Sequence, residues 1–301
     1  MSKITEINEC ISYAIAKAKA DAKLCLLQEP DITAALTLYF LNLIKGIIPN
    51  VRFGGCFIHQ RPIAKFSDGK GCEVGDFLVL CRRHGNGPEI YNAVLLQLKM
   101  ANRDHISIPA NDVQLRLYTE WPEFGLRGIN NSSYNIQPKT ITSGAQYCIA
   151  REDKASIPLY VATPNHRMKV DGDYTLGRFL WNIINFQSGR QISKESDKNS
   201  DEWSKLIWDL LIYTMHAPFT RSNINKKNVP RLSGDFMRFM TDELSSCSDE
   251  IIEEYFAIMQ KDDFNNVNHD DHYYNDDNEY NGISVMFIDV NVNDESFREQ
   301  P

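Results

Sequence analysis

The chain reads as an α/β fold, with α+β as the other arrangement its pattern allows: a mixed sheet flanked by helices, followed by a helical C-terminal part. Three observations predict it. Apolar residues recur at helical spacing in the first 48 residues, several short apolar runs at strand spacing follow between residues 51 and 162, and helical spacing returns from Leu176. The expected organisation is an α/β core over residues 1–165, a helical region over 166–260 that packs on the core or stands apart, an acidic linker over 261–282, and a terminal strand and tail over 283–301.

In chain order, Ile4, Ile7, Ile11, Ala14, Ile15 and Ala18 mark a first amphipathic helix over residues 3–22. Asp31 after Pro30 is placed to cap a second, carried by Ala34, Leu38, Leu41, Ile44 and Ile48 to a stop near Gly46 or Pro49. Residues 51–59 form a strand whose Gly54-Gly55 pair predicts a bulge or a close backbone approach. The central stretch is Cys72 to Lys99. A run from Phe77 to Cys81, a turn containing Gly85-Asn86-Gly87-Pro88 and a run from Tyr91 to Lys99 predict an antiparallel hairpin. Alternation puts Gln97 and Lys99 on one face and Val94, Leu96 and Leu98 on the other, and the hairpin brings Asp76 beside the polar pair.

Downstream, Val113–Tyr118 alternates like a strand, and the runs at 146–150 and 158–162 complete a sheet of four or five strands. Trp121 and Phe124 flank a proline and close the core, although such a pair also suits base stacking. Leu176, Phe179, Leu180, Ile183 and Ile184 share a helix face that ends near Gly189. Trp203, Leu206, Ile207, Leu210 and Leu211 share another, and one or two more helices follow over 236–259. Residues 283–290 form a strand expected to add to a sheet edge, in this molecule or a partner.

Composition excludes several classes. With 43% hydrophobic and 24% charged residues, the chain has the make-up of an ordinary globular protein. No apolar run reaches the roughly 20 residues that cross a bilayer, and the N-terminus lacks a secretory pattern, so no membrane association and a cytoplasmic location are expected. Seven scattered cysteines without a Cys-x-x-Cys pair indicate neither a disulfide framework nor a zinc site. Residues 261–301 carry eleven acids against Lys261 and Arg298, a net of −9 out of −8 for the whole chain. The rest is therefore near neutral, and nucleic acid would have to be met by local basic patches. Arg61 and Lys65 in the 60–71 loop are one candidate patch; Lys226, Lys227 and Arg231, in an acid-free stretch from Arg221, are the other. Both also read as solvated loops.

Asp76, Gln97 and Lys99 combine a carboxylate, a carboxamide and an ammonium, which suits a divalent cation and a phosphate. At these residues the sequence resembles the PD-(D/E)xK nuclease superfamily, with Asp76 at the family aspartate and Gln97-Leu98-Lys99 at its (D/E)-x-K. Glutamine in place of the acid is similar to the variant found in Mrr-type restriction endonucleases, and it removes one negative charge from the site. The resemblance covers roughly residues 29–100 and implies a restriction-endonuclease-like sheet. It further implies Mg²⁺, with Mn²⁺ as substitute, held by Asp76, Gln97 and the Leu98 carbonyl, with Glu73 or Glu29 as further ligands. Lys99 would orient the attacking water. Glu29 also reads simply as an acid favoured at a helix N-terminus, and Glu73, across a turn from Asp76, has no fixed direction.

The resemblance implies a DNA nuclease, RNA being the other polymer, in defence against foreign DNA; because a free nuclease would harm its host, an activating partner or signal is expected, and a homo-oligomer is the other partner considered. Two other classes compete: a non-catalytic adaptor or nucleic-acid-binding module on the same fold, and an interaction protein in which the hairpin is only core.

Overall fold

The computed structural model describes residues 1–21, 27–56, 62–85, 87–101, 105–127, 129, 132–151, 159–169, 174–216 and 283–292. The fold has three layers, with a mixed sheet between two groups of helices.

Helix α1 (Lys3–Asp21) is followed by α2 (Glu29–Ala35), a π-helical turn (Leu36–Phe40) and α3 (Leu41–Ile44). Gln28, not Asp31, is the N-cap of α2. Asp31 sits three residues in and accepts the Gln28 backbone N–H at 2.8 Å, so it stabilises the same helix start from inside. The helical run ends before Gly46, whose φ of 73° suits glycine.

The strands are β1 (Val51–Cys56), β2 (Ile63–Phe66), β3 (Gly71–Glu73), β4 (Phe77–His84), β5 (Ile90–Ala101) and β6 (His105–Ser107). After helix α4 (Val113–Glu120) come β7 (Phe124–Leu126), β8 (Ala145–Arg151), β9 (Leu159–Ala162) and β10 (Arg167–Lys169). Helix α5 (Leu176–Ile184), β11 (Arg190–Ile192), a 3₁₀ segment (Glu195–Ser200), α6 (Glu202–His216) and β12 (Ser284–Asn291) complete the described chain.

Among the described residues, the main sheet has seven strands in the order β1-β12-β4-β5-β8-β9, with β11 paired to the first half of β5. The β4–β5 hairpin is antiparallel as expected, whereas β12–β4 and β5–β8 are parallel. Period-two alternation divides the sheet's side chains into two cores. Phe77, Val79, Val94, Leu96, Leu98, Met286 and Ile288 pack with α1, α2, α3 and α5. Leu78, Leu80, Leu95, Tyr147, Val285 and Phe287 pack with α4 and α6.

The main sheet has seven described strands rather than the four or five expected, and other expectations are changed or decided as well. Val113–Tyr118 is helix, not strand: Asp112 accepts the Leu115 N–H at 2.8 Å as an N-cap, and Gln114 and Tyr118, four apart, both turn inward. Alternating Val113, Leu115 and Leu117 imitate period two only because their neighbours are also partly buried. At Gly54-Gly55 the close backbone approach is the alternative that holds: β1 pairs with β12 in unbroken register, and a Cβ on Gly55 would lie 2.3 Å from the Val285 carbonyl oxygen. Finally, β12 lies inside the sheet between β1 and β4 rather than at an edge.

In that interior position β12 brings a buried ion pair across the ladder. Asp289 pairs across from Arg82 in the β12–β4 ladder, and Arg82 Nε donates to Asp289 Oδ1 at 2.8 Å. The two residues are 1% and 4% exposed. His84 Nε2 lies 3.2 and 3.3 Å from the two carboxylate oxygens. A one-residue slip would turn Asp289 to the opposite face and leave two buried charges apart, so the pair specifies register.

No described helix is long and apolar enough to cross a membrane. The 166–260 region is partly described: α5 packs in the core with α1, and α6 packs beneath β11, so both belong to the main body. Helices expected over 236–259 and the linker at 261–282 lie outside the described residues.

Candidate functional site

The site forms where β4 begins and β5 ends. The Asp76 backbone N–H donates to the Leu96 carbonyl at 2.9 Å just before the first ladder pair, Phe77 with Leu96, and this holds Asp76 within reach of Gln97. Both side chains project toward the α4 and α6 layer, and both are buried, at 2% and 1% exposure. Gly75 precedes them in a tight place: a Cβ there would stand 3.1 Å from the Tyr118 hydroxyl and 3.4 Å from the Leu96 carbonyl oxygen.

Asp76 Oδ2 accepts a short hydrogen bond from Gln97 Nε2 and another from the Leu98 backbone N–H at 2.6 Å. Two N–H donors on one oxygen offset the cost of removing a carboxylate from water. Gln97 is in turn held from above. Gln114 on α4 donates through Nε2 to Gln97 Oε1, in a short contact, and to the Glu73 carbonyl at 3.0 Å. The chain of donors thus runs Gln114 to Gln97 to Asp76. Lys99, half-buried, follows Gln97 on the same face, and its ammonium takes no part in this network.

Aromatic rings wall the site. Tyr147 on β8 stands beside Gln97 in the β5–β8 ladder, and its hydroxyl is buried with no hydrogen-bond partner among the described residues. Tyr118 donates to the Val74 carbonyl at 2.8 Å, and burial, with the nearby Tyr147 and Asp76, holds its hydroxyl far above the ordinary phenol range. Trp121 and Phe124, 0% and 2% exposed, pack in the core; Trp121 stacks on Tyr118 and meets Trp203 edge-on.

Two thiols lie in dry surroundings, Cys72 against the core of this face and Cys148 in the core of the opposite face. Burial pushes Cys72 up to about 12, with help from Asp112 and Glu73, and pushes Cys148 up to about 12, with help from Asp76. In the unfolded chain a thiol ionises near 8.5. Each folded-state pKa is therefore raised, so these groups contribute their full stability below about pH 8.5 and lose it as pH climbs toward 12. Thermal melts should show the midpoint falling across that window, with a shallower fall in Cys148→Ala. Iodoacetamide at pH 8 should modify Cys148 only after the chain is unfolded in urea.

The other expected site residues are less concentrated. Glu73 contributes its backbone carbonyl to the Gln114 amide, at the end of β3. Glu29 opens α2, a helix of the layer that packs on the sheet face opposite Asp76 and Gln97. Leu98 is buried in that opposite core and offers the site only its backbone. Lys65 is exposed on β2, whereas Arg61, Lys226, Lys227 and Arg231 lie outside the described residues. Among the described residues no three His, Cys, Asp or Glu side chains gather as a metal cluster. Sequence reasoning did not single out Gln114. The signal was Asp112, whose capping role makes residue 114 helical and turns it onto the hairpin.

Comparison with family models, with curated proteins and with solved structures gives no match.

Proposed function

We propose that this chain is a metal-dependent phosphodiesterase acting on nucleic acid, with DNA the first substrate to test. The observation that carries the reading is the joining of Asp76 and Gln97 at adjacent strand ends, with Lys99 next on the same face. The donor set suits a hard cation in kind. Asp76, the carboxamide oxygen of Gln97 and the Leu98 carbonyl are oxygen ligands of the type Mg²⁺ or Mn²⁺ takes. The fit requires one adjustment, because Gln97 presents nitrogen, not oxygen, to Asp76. A half-turn of its planar amide exchanges the two without changing its shape.

The bound ion would supply charge stabilisation at the phosphate. Around it, Asp76 would provide the one anionic ligand, and Gln97 would provide a neutral oxygen where an acid would provide a second charge. Lys99 would hold and orient the attacking water for in-line displacement and offset charge on the phosphate oxygens. Substituting Lys99→Ala should lower Mg²⁺-dependent cleavage at least ~100-fold while leaving the fold intact, as expected for a half-buried residue whose group acts on the reacting atoms. Cleavage of plasmid and single-stranded DNA by wild type and variant, with melting midpoints as the fold control, checks this. A role against foreign DNA, gated by a partner or by self-association, would fit such an activity.

The deep burial of Asp76 and Gln97, already paired to each other, favours one other reading: a nuclease-like fold that binds nucleic acid without cutting it. That protein would bind DNA equally well with and without Mg²⁺ and would be indifferent to Lys99→Ala.

A further inference from the structure

The contacts of Gln114 bear on how a cation would enter this site, and the inference rests on the metal-dependent reading above. A primary amide has one end that only donates and one that only accepts, so a row of amides has a direction. Gln114 Nε2 donates to Gln97 Oε1, which adds to the preference of the acceptor-only Asp76 carboxylate for Nε2 of Gln97. The orientation of Gln114 is fixed in turn, because the same nitrogen also donates to the Glu73 carbonyl at 3.0 Å. If Gln114 turned over, its oxygen would face that carbonyl. Gln114 is itself 9% exposed, on a helix capped by Asp112, so packing limits its other rotamers.

We propose that Gln114 is a positioning residue that locks the Gln97 amide in its cation-free orientation and thereby lowers the affinity of the Asp76–Gln97 site for a divalent metal. Turning Gln97 to offer Oε1 beside Asp76 breaks the bond from Gln114 and sets Nε2 of Gln97 against Nε2 of Gln114, donor against donor. The Glu73 carbonyl keeps its bond to Gln114 throughout and therefore cancels from the comparison. The lock makes metal loading conditional: any event that withdraws α4 from the hairpin would free the amide. It also explains why a cation-binding glutamine is covered by a second glutamine rather than by an apolar side chain.

The test is Mn²⁺ binding, read by calorimetry and by the paramagnetic signal of the free ion, on the full chain. Wild type, Gln114→Met, Gln114→Glu and Asp76→Asn are compared, with melting curves to verify folding. Gln114→Met has similar volume and no donor, so it should bind Mn²⁺ roughly three- to tenfold more tightly, the equivalent of one hydrogen bond lost from the cation-free state. Gln114→Glu, able only to accept, should bind at least as tightly. Asp76→Asn should not bind in any background. In ¹⁵N spectra the Gln97 side-chain amide of wild type should shift on Mn²⁺-free Mg²⁺ addition, and in Gln114→Met the same shift should be complete at lower Mg²⁺.

Equal affinity in wild type and Gln114→Met, with binding lost in Asp76→Asn, would overturn the lock and leave the metal reading standing. Tighter binding in Gln114→Glu alone would report added charge and likewise overturn it. No binding by any folded variant would overturn both the lock and the metal reading. If Gln114→Met does not fold, the Gln97 amide shift in wild type decides: an amide that does not move on metal addition refutes the lock.

Discussion

A chain ending at residue 282 should fail to fold. It would lose β12, which pairs along Ser284–Asn291 with β4 and along Val285–Val290 with β1, so two ladders open in the middle of the sheet. It would also lose Val285, Met286, Phe287, Ile288 and Val290, all buried. At roughly 1.5–3 kcal/mol for each fully buried apolar side chain, their burial is worth about 10 kcal/mol. That is of the order of the whole stability of a domain, about 5–15 kcal/mol. Circular dichroism of the truncated chain should show no cooperative thermal transition. A chain lacking residues 283–301 that melts as the full chain does would mean that β12 is not part of the sheet. For the same reason, truncation is a poor probe of the acidic 261–282 stretch, because removing it from the end removes a central strand too.

The second large effect is at Asp289. Replacing it with alanine leaves the Arg82 guanidinium buried without the carboxylate it faces, and breaking such a pair from one side costs about 3–5 kcal/mol. Urea unfolding should show the extrapolated stability lowered by that amount, with a lower midpoint and an unchanged slope. Substituting both partners together, Arg82→Met with Asp289→Leu, should restore most of the loss, because no uncompensated charge remains. If Asp289→Ala costs less than about 1 kcal/mol, the ion pair does not set the register of β12. The carboxylate also lies within reach of His84, so the single variant frees that imidazole as well.

The sequence carried the hairpin and its polar end because both signals are local. Alternation from Phe77 to Cys81 and from Tyr91 to Lys99, joined by a glycine-rich turn, leaves little choice of pairing, and Asp76 follows into place beside Gln97. The helices α1, α5 and α6 were equally legible from their apolar faces. Helix α4 was not, because eight residues with Val113, Leu115 and Leu117 satisfy a strand pattern as well as a helical one, and the deciding term is one capping hydrogen bond from Asp112. The interior placement of β12 was not legible either. An apolar strand near the end of a chain pairs as readily at an edge as between two strands, and its partner for Asp289 is Arg82, 207 positions away. Gln114 was hidden by the same error as α4, since a strand residue there would not overhang the hairpin.

The site therefore has more structure than its three expected residues. Asp76, Gln97 and Lys99 can be read from short-range pattern, but the amide that donates to Gln97 Oε1 comes from a helix packed over the hairpin. Burial of the pair to 2% and 1% exposure separates this site from an open cleft.

The most direct test of the central claim is cleavage of plasmid and single-stranded DNA by the purified chain with Mg²⁺ or Mn²⁺, comparing wild type with Lys99→Ala and Asp76→Ala. The account predicts metal-dependent cutting in wild type that is lost in both variants while Lys99→Ala keeps the wild-type melting midpoint. Cutting that survives both substitutions would contradict it and move the chemistry elsewhere in the molecule.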